Sequence, residues 1–301
     1  MYATGLDIGG TKIAGAVYDN VGTELTRIIE PIPKDYALFL QLCVNMVERL
    51  DQACGAKASV GIGMPGVISR DGNTFYAVAN IPFLRDGHPF ADDLTQHLQR
   101  SVRVANDGQC ATLAEAFEGA GQGANTVFGI TLGTGVGGGA VVNGHIISGR
   151  HGMAGEIGHV ALPHASAEDG EPLPCKYCPT GCIEGYLSGA ALAKRYERLT
   201  GDNLPVADIA ARAGSGEQAA LQVVDAYCRG VAKAISAVLH TYDPDIVIIS
   251  GGLSVLPNLL RLVNGYVRDY ALFKDIETQV VAAKLGALSG LRGAAILGQQ
   301  G

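Results

Sequence analysis

Near the start of this 301-residue chain stands Gly5-Leu6-Asp7-Ile8-Gly9-Gly10-Thr11-Lys12, a glycine-rich segment between apolar runs at 2–8 and 13–18. This pattern predicts two antiparallel strands joined by a glycine turn. The segment superficially resembles a P-loop, but its Thr and Lys stand in the reverse order. A P-loop is also followed by a helix, whereas residues 13–18 have strand character. We therefore interpret the segment as a phosphate-binding hairpin.

Each polar group of this hairpin has a possible role in binding phosphate. Glycines such as Gly9 and Gly10 let backbone N–H groups approach phosphate oxygens, while Thr11 and Lys12 add a hydroxyl group and a positive charge. Asp7 at the strand end is placed to hold Mg²⁺, usually through water. An ordinary glycine turn is the alternative.

A second glycine-rich segment is Gly133-Thr134-Gly135-Val136-Gly137-Gly138-Gly139, which has five glycines in seven residues. Ordering so many glycines costs entropy, so they indicate that backbone passes close to a ligand. Strand-like runs at 126–132 and 138–143 disfavour the alternative of a flexible linker. The two glycine segments lie 124 residues apart and predict two related halves, with a chance match as the alternative.

The rest of the chain alternates between strand-like and helix-like periodicity, which predicts an α/β protein. Helices are expected at 36–53, 91–100, 111–118, 187–199, 219–242, 256–270 and 287–298. Further strands are expected at 59–64, 102–105, 245–249 and 279–283. The glycine-rich segment 118–125 is the predicted boundary between an N-terminal α/β lobe at 1–120 and a C-terminal α/β lobe at 121–301.

Composition excludes several classes of function. A net charge of −7 disfavours non-specific binding to nucleic acid or anionic membranes. The sequence shows no secretory leader and no apolar run long enough to span a membrane, so we expect a soluble, cytoplasmic protein. Seven cysteines without a leader indicate reduced thiols rather than a disulfide framework.

Asn106-Asp107 follows the predicted strand at 102–105 and precedes a predicted helix. A carboxylate at the C-terminal end of a strand in an α/β sheet is well placed for a ligand crevice. Asp107 can accept a proton from a substrate hydroxyl, and Asn106 can bind neighbouring hydroxyls. From these two residues alone, a simple helix N-cap is the favoured interpretation.

A cluster of thiols with a nearby histidine indicates a structural zinc site. Cys175, Cys178 and Cys182 fall within eight residues, and with His159 they form the Cys₃His set of a closed tetrahedral site. His151 and His164 are competing ligands, and redox-active or buried thiols are the alternative.

Taken together, these segments resemble the ROK family (repressors, open reading frames, kinases) of the actin/hexokinase/Hsp70-like ATPase superfamily. The similarity spans nearly the whole chain and implies a duplicated, ribonuclease H-like fold with two lobes around a central cleft. The matching segments, in chain order, are Asp7–Lys12, Pro65-Gly66, Asn106-Asp107, 133–139, Gly155–His159, Gly181–Glu184 and Gly251-Gly252.

The resemblance implies an ATP-dependent sugar kinase that uses Mg²⁺ and a structural Zn²⁺. Segments 5–12 and 133–140 would hold the ATP phosphates, with Gly251 and Gly252 near the nucleoside. Asp107 matches the catalytic base, and His159 matches a residue that binds both sugar and zinc. The positions implied to bind the sugar are Gly66, Asn80, Asn106, Asp107, Glu156, His159 and Glu184.

The thiol cluster departs from the family pattern, which is Cys-x-Cys-Gly-x₂-Gly-Cys. Here the segment reads Cys175-Lys176-Tyr177-Cys178-Pro179-Thr180-Gly181-Cys182, so the middle cysteine has moved by one position and a proline follows it. The number of ligands is preserved, so we expect zinc to bind in a loop of different geometry.

Within the family, the segments 1–12, 79–82 and 183–189 are most similar to kinases that phosphorylate N-acetylglucosamine at its 6-hydroxyl. N-acetylmannosamine and glucose are alternative substrates, since the residues around C2 of the sugar are not evident. A sugar-responsive repressor is disfavoured because no helix-turn-helix precedes the first hairpin, and a non-catalytic sugar binder because the base and both phosphate loops are present. The resemblance also implies a homodimer.

Overall fold

The computed structural model describes residues 1–76 and 81–300. Two five-stranded sheets form its framework. The strands are β1 (Ala3–Ile8), β2 (Lys12–Tyr18), β3 (Glu24–Pro31), β4 (Ser59–Met64), β5 (Val102–Asn106), β6 (Thr126–Leu132), β7 (Val136–Val142), β8 (His145–Ile146), β9 (Ile246–Ser250) and β10 (Gln279–Ala282). The helices are α1 (Tyr36–Cys54), α2 (Phe90–Leu98), α3 (Asp107–Glu118), α4 (Ile183–Leu187), α5 (Gly189–Thr200), α6 (Val206–Gly214), α7 (Gln218–Tyr242), α8 (Leu259–Tyr270) and α9 (Ser289–Gln299).

The two sheets repeat one strand order. The first runs β3-β2-β1-β4-β5, and the second, taken from its β8 edge, runs β8-β7-β6-β9-β10. In the first sheet β1 pairs antiparallel with β2 and parallel with β4. In the second, β6 pairs parallel with β9. The predicted relation between the two halves is therefore present in the topology, which a chance match of two glycine turns does not explain.

Helix α1 illustrates how local sequence sets an element. Its apolar residues recur at spacings of three and four, so that one face packs into the core under the first sheet. Asp35 begins the helix as N-cap by accepting the Leu38 N–H, and Gly55 ends it in the left-handed conformation at φ 69°. The predicted helix at 36–53 is confirmed.

Glycines allow α9 to pack closely on β1, β4 and α3. A Cβ at Gly5 or Gly61 would overlap the carbonyl oxygen of Leu291 or Ala294 on α9, and one at Gly293 would overlap the carbonyl of Cys110 on α3. These close approaches hold α9 against the sheet that carries Asp7, and α3 against α9.

The sequence patterns missed β3 and α6. Strand β3 lies at the sheet edge, where its residues alternate between exposed and half-buried, and it ends at Pro31, as edge strands tolerate. Helix α6 is short and buries Ile209 and Ala213. In the described ranges, no helix combines the length and apolar character needed to cross a membrane.

The described chain divides into two compact units. Unit 1 comprises residues 1–122, 139–155 and 285–301, and unit 2 comprises 123–138 and 156–284. The units are thus discontinuous in sequence, because α9 returns to the first sheet and β7 begins in one unit and ends in the other. The predicted lobes with a single boundary near residue 120 stay a prediction.

Candidate active site

The first glycine segment forms the turn between β1 and β2, as predicted. Asp7 is half-buried near the end of β1, and the turn is closed by the Gly9 N–H, which donates to the Lys12 carbonyl at 2.9 Å. Gly10 lies in the turn, and Thr11 and Lys12 are exposed there. The hairpin therefore presents a hydroxyl and an ammonium group to solvent above a half-buried carboxylate.

Asn106 serves as the N-cap of α3, so the helix-cap interpretation is confirmed for this residue. Its side-chain oxygen accepts the N–H groups of Gly108 and Gln109 at 2.8 and 3.3 Å. Its amide nitrogen donates to the Gly66 carbonyl at 3.0 Å. Gly66 has a φ of 104°, which favours glycine. Asn106 therefore joins the turn after β4 to the start of α3.

Asp107 is the first residue of α3, directly after β5, and is exposed. Its Oδ1 accepts the Gly108 N–H at 2.8 Å. Because Asn106 caps the helix, the Asp107 carboxyl is left to face the surface at the end of the sheet. Asn106 thus caps the helix, and the Asp107 side chain stays exposed beside it.

The electrostatic environment distinguishes Asp7 and Asp107 from ordinary surface carboxylates. Burial, followed by the nearby Asp107 charge, raises the pKa of Asp7 from 3.8 to about 6, against a smaller lowering by Lys12. Partial desolvation by surrounding protein also raises the pKa of Asp107, although the residue has an open side. Two carboxylates with raised pKa values at one sheet edge favour proton transfer or a cation.

The second glycine segment forms the connection between β6 and β7. The Gly133 N–H donates to the Gly135 carbonyl at 3.0 Å, and the Gly133 carbonyl accepts the Gly189 N–H at 2.8 Å. Glu184 on α4 accepts the Val136 N–H at 2.9 Å. Thr134 is exposed at the turn. This loop is therefore supported by α4 and the start of α5.

Glycines of the two predicted phosphate segments fall into two groups. A Cβ at Gly139 would lie 2.9 Å from Gln109 Cα, and Gly5 faces α9, so close helix packing already requires glycine at both positions. A Cβ at Gly133 or Gly137 would meet nothing within 4 Å. Gly138 is buried in β7. The open glycines are those that leave room for a ligand.

The predicted nucleoside glycines follow β9. Gly251 has a φ of 89°, and a Cβ there would overlap the backbone of Leu132. Gly252 is exposed, and a Cβ there would meet nothing within 4 Å. The two glycines thus turn the chain beside the second glycine loop, since the Leu253 N–H donates to the Leu132 carbonyl at 3.0 Å.

The four predicted zinc ligands come together. The ligand atoms of His159, Cys175, Cys178 and Cys182 all lie within 4.8 Å of one another. His159 Nδ1 is 3.6 Å from Cys175 Sγ and 3.7 Å from Cys178 Sγ. Among the described residues, neither His151 nor His164 belongs to this group. All seven cysteines are free thiols, in agreement with the expected absence of a disulfide framework.

Tetrahedral zinc fits these positions. Zinc bonds of about 2.3 Å to sulfur and about 2.0 Å to nitrogen place adjacent ligand atoms about 3.5 Å apart. The backbone holds the two parts of the cluster together, because the Ile183 N–H donates to the Val160 carbonyl at 2.8 Å and Ala161 pairs with Cys182. The displaced middle cysteine therefore still reaches the other ligands.

The remaining predicted sugar-binding residues are placed as follows. Glu156 immediately precedes a short 3₁₀ turn at Ile157–His159, where Gly158 packs against the backbone of Val136. Glu184 is half-buried on α4 and supports the second glycine loop. Asn80 lies outside the described residues.

Four buried polar residues were not predicted from the sequence. Gln109 donates to the Ala154 carbonyl at 3.0 Å, and Lys233 forms a buried ion pair with Asp169 at 2.7 Å. Glu115 on α3 is 3% exposed. An acidic residue on a helix is usually solvated, and no sequence pattern distinguishes these residues because their partners are remote in sequence.

Comparison with known proteins identifies the family of this chain. The ROK family model matches residues 3–301. The chain belongs to the ROK family. The N-acetyl-D-glucosamine kinase of Pectobacterium atrosepticum is 35% identical over 301 residues, covering 97% of each chain. The family predicted from the sequence motifs is therefore confirmed.

Solved structures of family members share the fold. The ROK hexokinase from Thermus thermophilus matches with a TM-score of 0.87 at 28% identity, covering 99% of this chain and 97% of that one. A ROK glucokinase from Streptomyces griseus, in complex with glucose and AMPPNP, matches with a TM-score of 0.76 at 29% identity and full coverage of both chains. The predicted duplicated α/β fold of the actin/hexokinase-like superfamily is confirmed.

Proposed function

We propose that this ROK-family chain is an ATP-dependent kinase that phosphorylates the 6-hydroxyl of N-acetyl-D-glucosamine. The observation that carries the proposal is the position of Asp107, whose carboxyl follows β5 at the start of α3 while Asn106 supplies the helix cap. The similarity to a curated N-acetyl-D-glucosamine kinase across nearly the whole chain supports the substrate.

Asp107 acts as the general base. As the 6-hydroxyl oxygen forms a bond to the γ-phosphorus, its proton passes to the Asp107 carboxylate, and the bond to the bridging oxygen breaks to release ADP. Desolvation raises the pKa of Asp107, which makes its carboxylate a better proton acceptor. Positioning and charge stabilisation supply most of the catalysis in phosphoryl transfer.

The two glycine segments hold the phosphates by different means. In the first, Thr11 and Lys12 are exposed at the turn, and in the second, Gly133 and Gly137 leave the backbone open. Asp7 fits a magnesium site, because it is a half-buried carboxylate whose pKa is raised by burial and then by the nearby Asp107 charge, and a divalent cation would compensate these two carboxylates. When bound, Mg²⁺ neutralises charge on the phosphate oxygens.

The His159 and cysteine cluster holds a structural Zn²⁺ and orients a sugar-binding imidazole. His159 Nδ1 faces the thiols, so Nε2 on the opposite side of the ring is available to a sugar hydroxyl. When bound, the metal fixes this tautomer. Glu156 and Glu184 are the acceptors expected for other sugar hydroxyls in unit 2.

An ATP-consumption assay with N-acetylglucosamine, N-acetylmannosamine, glucose and fructose tests the proposal. We expect the highest kcat/KM with N-acetylglucosamine, and mass spectrometry with ³¹P NMR should place the phosphate on O6. A preference for N-acetylmannosamine or glucose would replace the proposed substrate, and no turnover with any sugar would overturn the proposed activity.

The homodimer, implied by the resemblance, and the cytoplasmic location, expected from the sequence, stay predictions. Light scattering coupled to size-exclusion chromatography checks the first, with a dimer mass expected at micromolar concentration. Fractionation of the native host checks the second.

A further inference from the structure

Glu115 is a buried carboxylate within α3, the helix that begins at Asp107. It is only 3% exposed. Its Oε2 accepts the Ala120 N–H at 2.9 Å, and its Oε1 accepts the Leu285 N–H at 2.7 Å. One side chain therefore binds two backbone segments that are far apart in sequence, through hydrogen bonds that a negative charge strengthens.

The backbone of Glu115 holds the same region. Its carbonyl accepts the N–H groups of Gly119 and Gly121 at 3.1 and 2.9 Å. A Cβ at Gly119 would lie 2.8 Å from Glu115 Cα, so glycine is needed for the chain to turn this closely around the residue. The segment that leaves α3 is thus wrapped around Glu115.

These two segments lie at the first and the last of the four places where the chain passes between the compact units. It first leaves unit 1 at 122–123 and finally returns to it at 284–285. Ala120 lies two residues before the first passage, and Leu285 is the first residue after the last. The Glu115 carboxylate consequently fixes both passages to the helix whose first residue is Asp107.

We propose that Glu115 is a positioning residue that ties the two chain passages to α3, so that Asp107 keeps its place when the enzyme turns over. The proposal rests on the proposed kinase function for its effect on catalysis. Phosphoryl transfer depends on alignment, and a misplacement of about 1 Å can reduce the rate about 100-fold. Loosening both passages should therefore lower kcat more than it weakens binding of the sugar.

Glu115→Ala and Glu115→Gln test the proposal, with Glu118→Gln as a matched control on the same helix. Alanine removes both acceptors, whereas glutamine keeps one oxygen and turns an NH₂ group toward the second N–H. Glu118 is partly exposed and bonds Arg292 at 2.7 Å, so its substitution breaks an ion pair of α3 without touching either passage.

Amide hydrogen exchange and steady-state kinetics are the readouts. In Glu115→Ala we expect exchange at Ala120 and Leu285 to rise at least tenfold and kcat to fall about 10- to 100-fold, with the KM for sugar within about threefold. Glu115→Gln should show smaller changes in the same direction, and it covers the case in which Glu115→Ala does not fold. Glu118→Gln should change neither readout.

Unchanged exchange at both amides in either Glu115 variant would overturn the proposal. So would a loss of activity that only follows the loss of folded protein, or an equal loss in Glu118→Gln. If the wild-type enzyme phosphorylates no sugar, the proposed function fails, while the exchange data still decide whether Glu115 anchors the two passages.

Discussion

The two glycine turns, at 9–12 and 133–135, have related strand contexts but are stabilised differently. The first is closed by its own backbone, through the bond from the Gly9 N–H to the Lys12 carbonyl, and carries the charged side chain of Lys12. The second carries no charged residue and is supported from outside, because Glu184 accepts the Val136 N–H and Gly189 donates to the Gly133 carbonyl.

This difference indicates that the two halves of the duplicated fold stabilise their glycine turns by different means. The first turn belongs to the sheet that carries Asp7 and is followed by Asp107 at the end of β5, so we expect its proposed function to depend on charge. The second depends on backbone shape, and its shape depends on α4, which follows the thiol cluster in sequence. Substitutions in the first region should therefore change chemistry and pKa values, and those in the second should change geometry and stability.

The largest effect is expected from Asp107→Asn, which removes the proposed base. We expect kcat to fall about 10²- to 10⁴-fold, while the KM for sugar changes within several-fold because the amide keeps the shape of the side chain. Steady-state kinetics measure both values. Near-normal turnover would contradict the assignment of the base.

The same variant also tests the coupling between the two carboxylates. The charge of Asp107 raises the pKa of Asp7. Removing it should therefore lower the pKa of Asp7 from about 6 toward 3.8, as measured by NMR titration of its carboxyl carbon. A pKa that stays near 6 would show that burial alone sets the value.

Removal of zinc should destabilise unit 2 without affecting the charges of the first turn. A metal present at 1,000 times its dissociation constant stabilises the folded state by about 4 kcal/mol, which corresponds to a fall in Tm of roughly 10 °C. The wild type should hold one zinc atom per chain, as measured by inductively coupled plasma mass spectrometry. Cys178→Ser should lose this zinc. Cys54→Ser, at a thiol outside the cluster, is the control. A wild type that retains no zinc would contradict the site.

Gly135→Ala compared with Gly137→Ala tests the external support of the second turn. A Cβ at Gly135 would overlap Glu184 Oε2, whereas one at Gly137 would meet nothing within 4 Å. The Glu184 side chain can move away only by giving up its hydrogen bond to the Val136 N–H, and leaving that donor unpaired costs about 1–3 kcal/mol. Urea unfolding should show this loss for Gly135→Ala, with a raised KM for sugar as Glu184 moves. Gly137→Ala should stay within about 0.5 kcal/mol. Equal losses of unfolding free energy in the two variants would contradict the role of Glu184 in supporting the second turn.

The smallest effect is expected from Lys12→Ala. Its ammonium group is exposed, so we expect the KM for ATP to rise only a few-fold, as for a charge contribution of up to about 1 kcal/mol. Lys12 also lowers the pKa of Asp7, so the variant should shift that pKa above about 6, opposite to Asp107→Asn. A shift in the same direction as Asp107→Asn would contradict the charge model of the first turn.

Local patterns predicted most elements and the thiol cluster because short-range physics determines them. The strand at 59–64 agrees with β4, and the helix at 219–242 agrees with α7 within one residue. Edge strand β3 was missed, since its side chains contact little, and the helix expected from 111 begins at Asp107 because Asn106 caps it.

By itself, the sequence determined the α/β class, the two glycine turns, the members of the His/Cys cluster and the family, since each is a pattern of residue types at short spacing. Only the tertiary structure decided that Asn106 caps α3 while Asp107 stays exposed, that Gly5 and Gly139 are required by helix packing, and that Glu115 binds the backbone at Ala120 and Leu285. The physical reason is that hydrogen-bond partners and steric contacts depend on segments brought together by folding, which residue spacing does not encode.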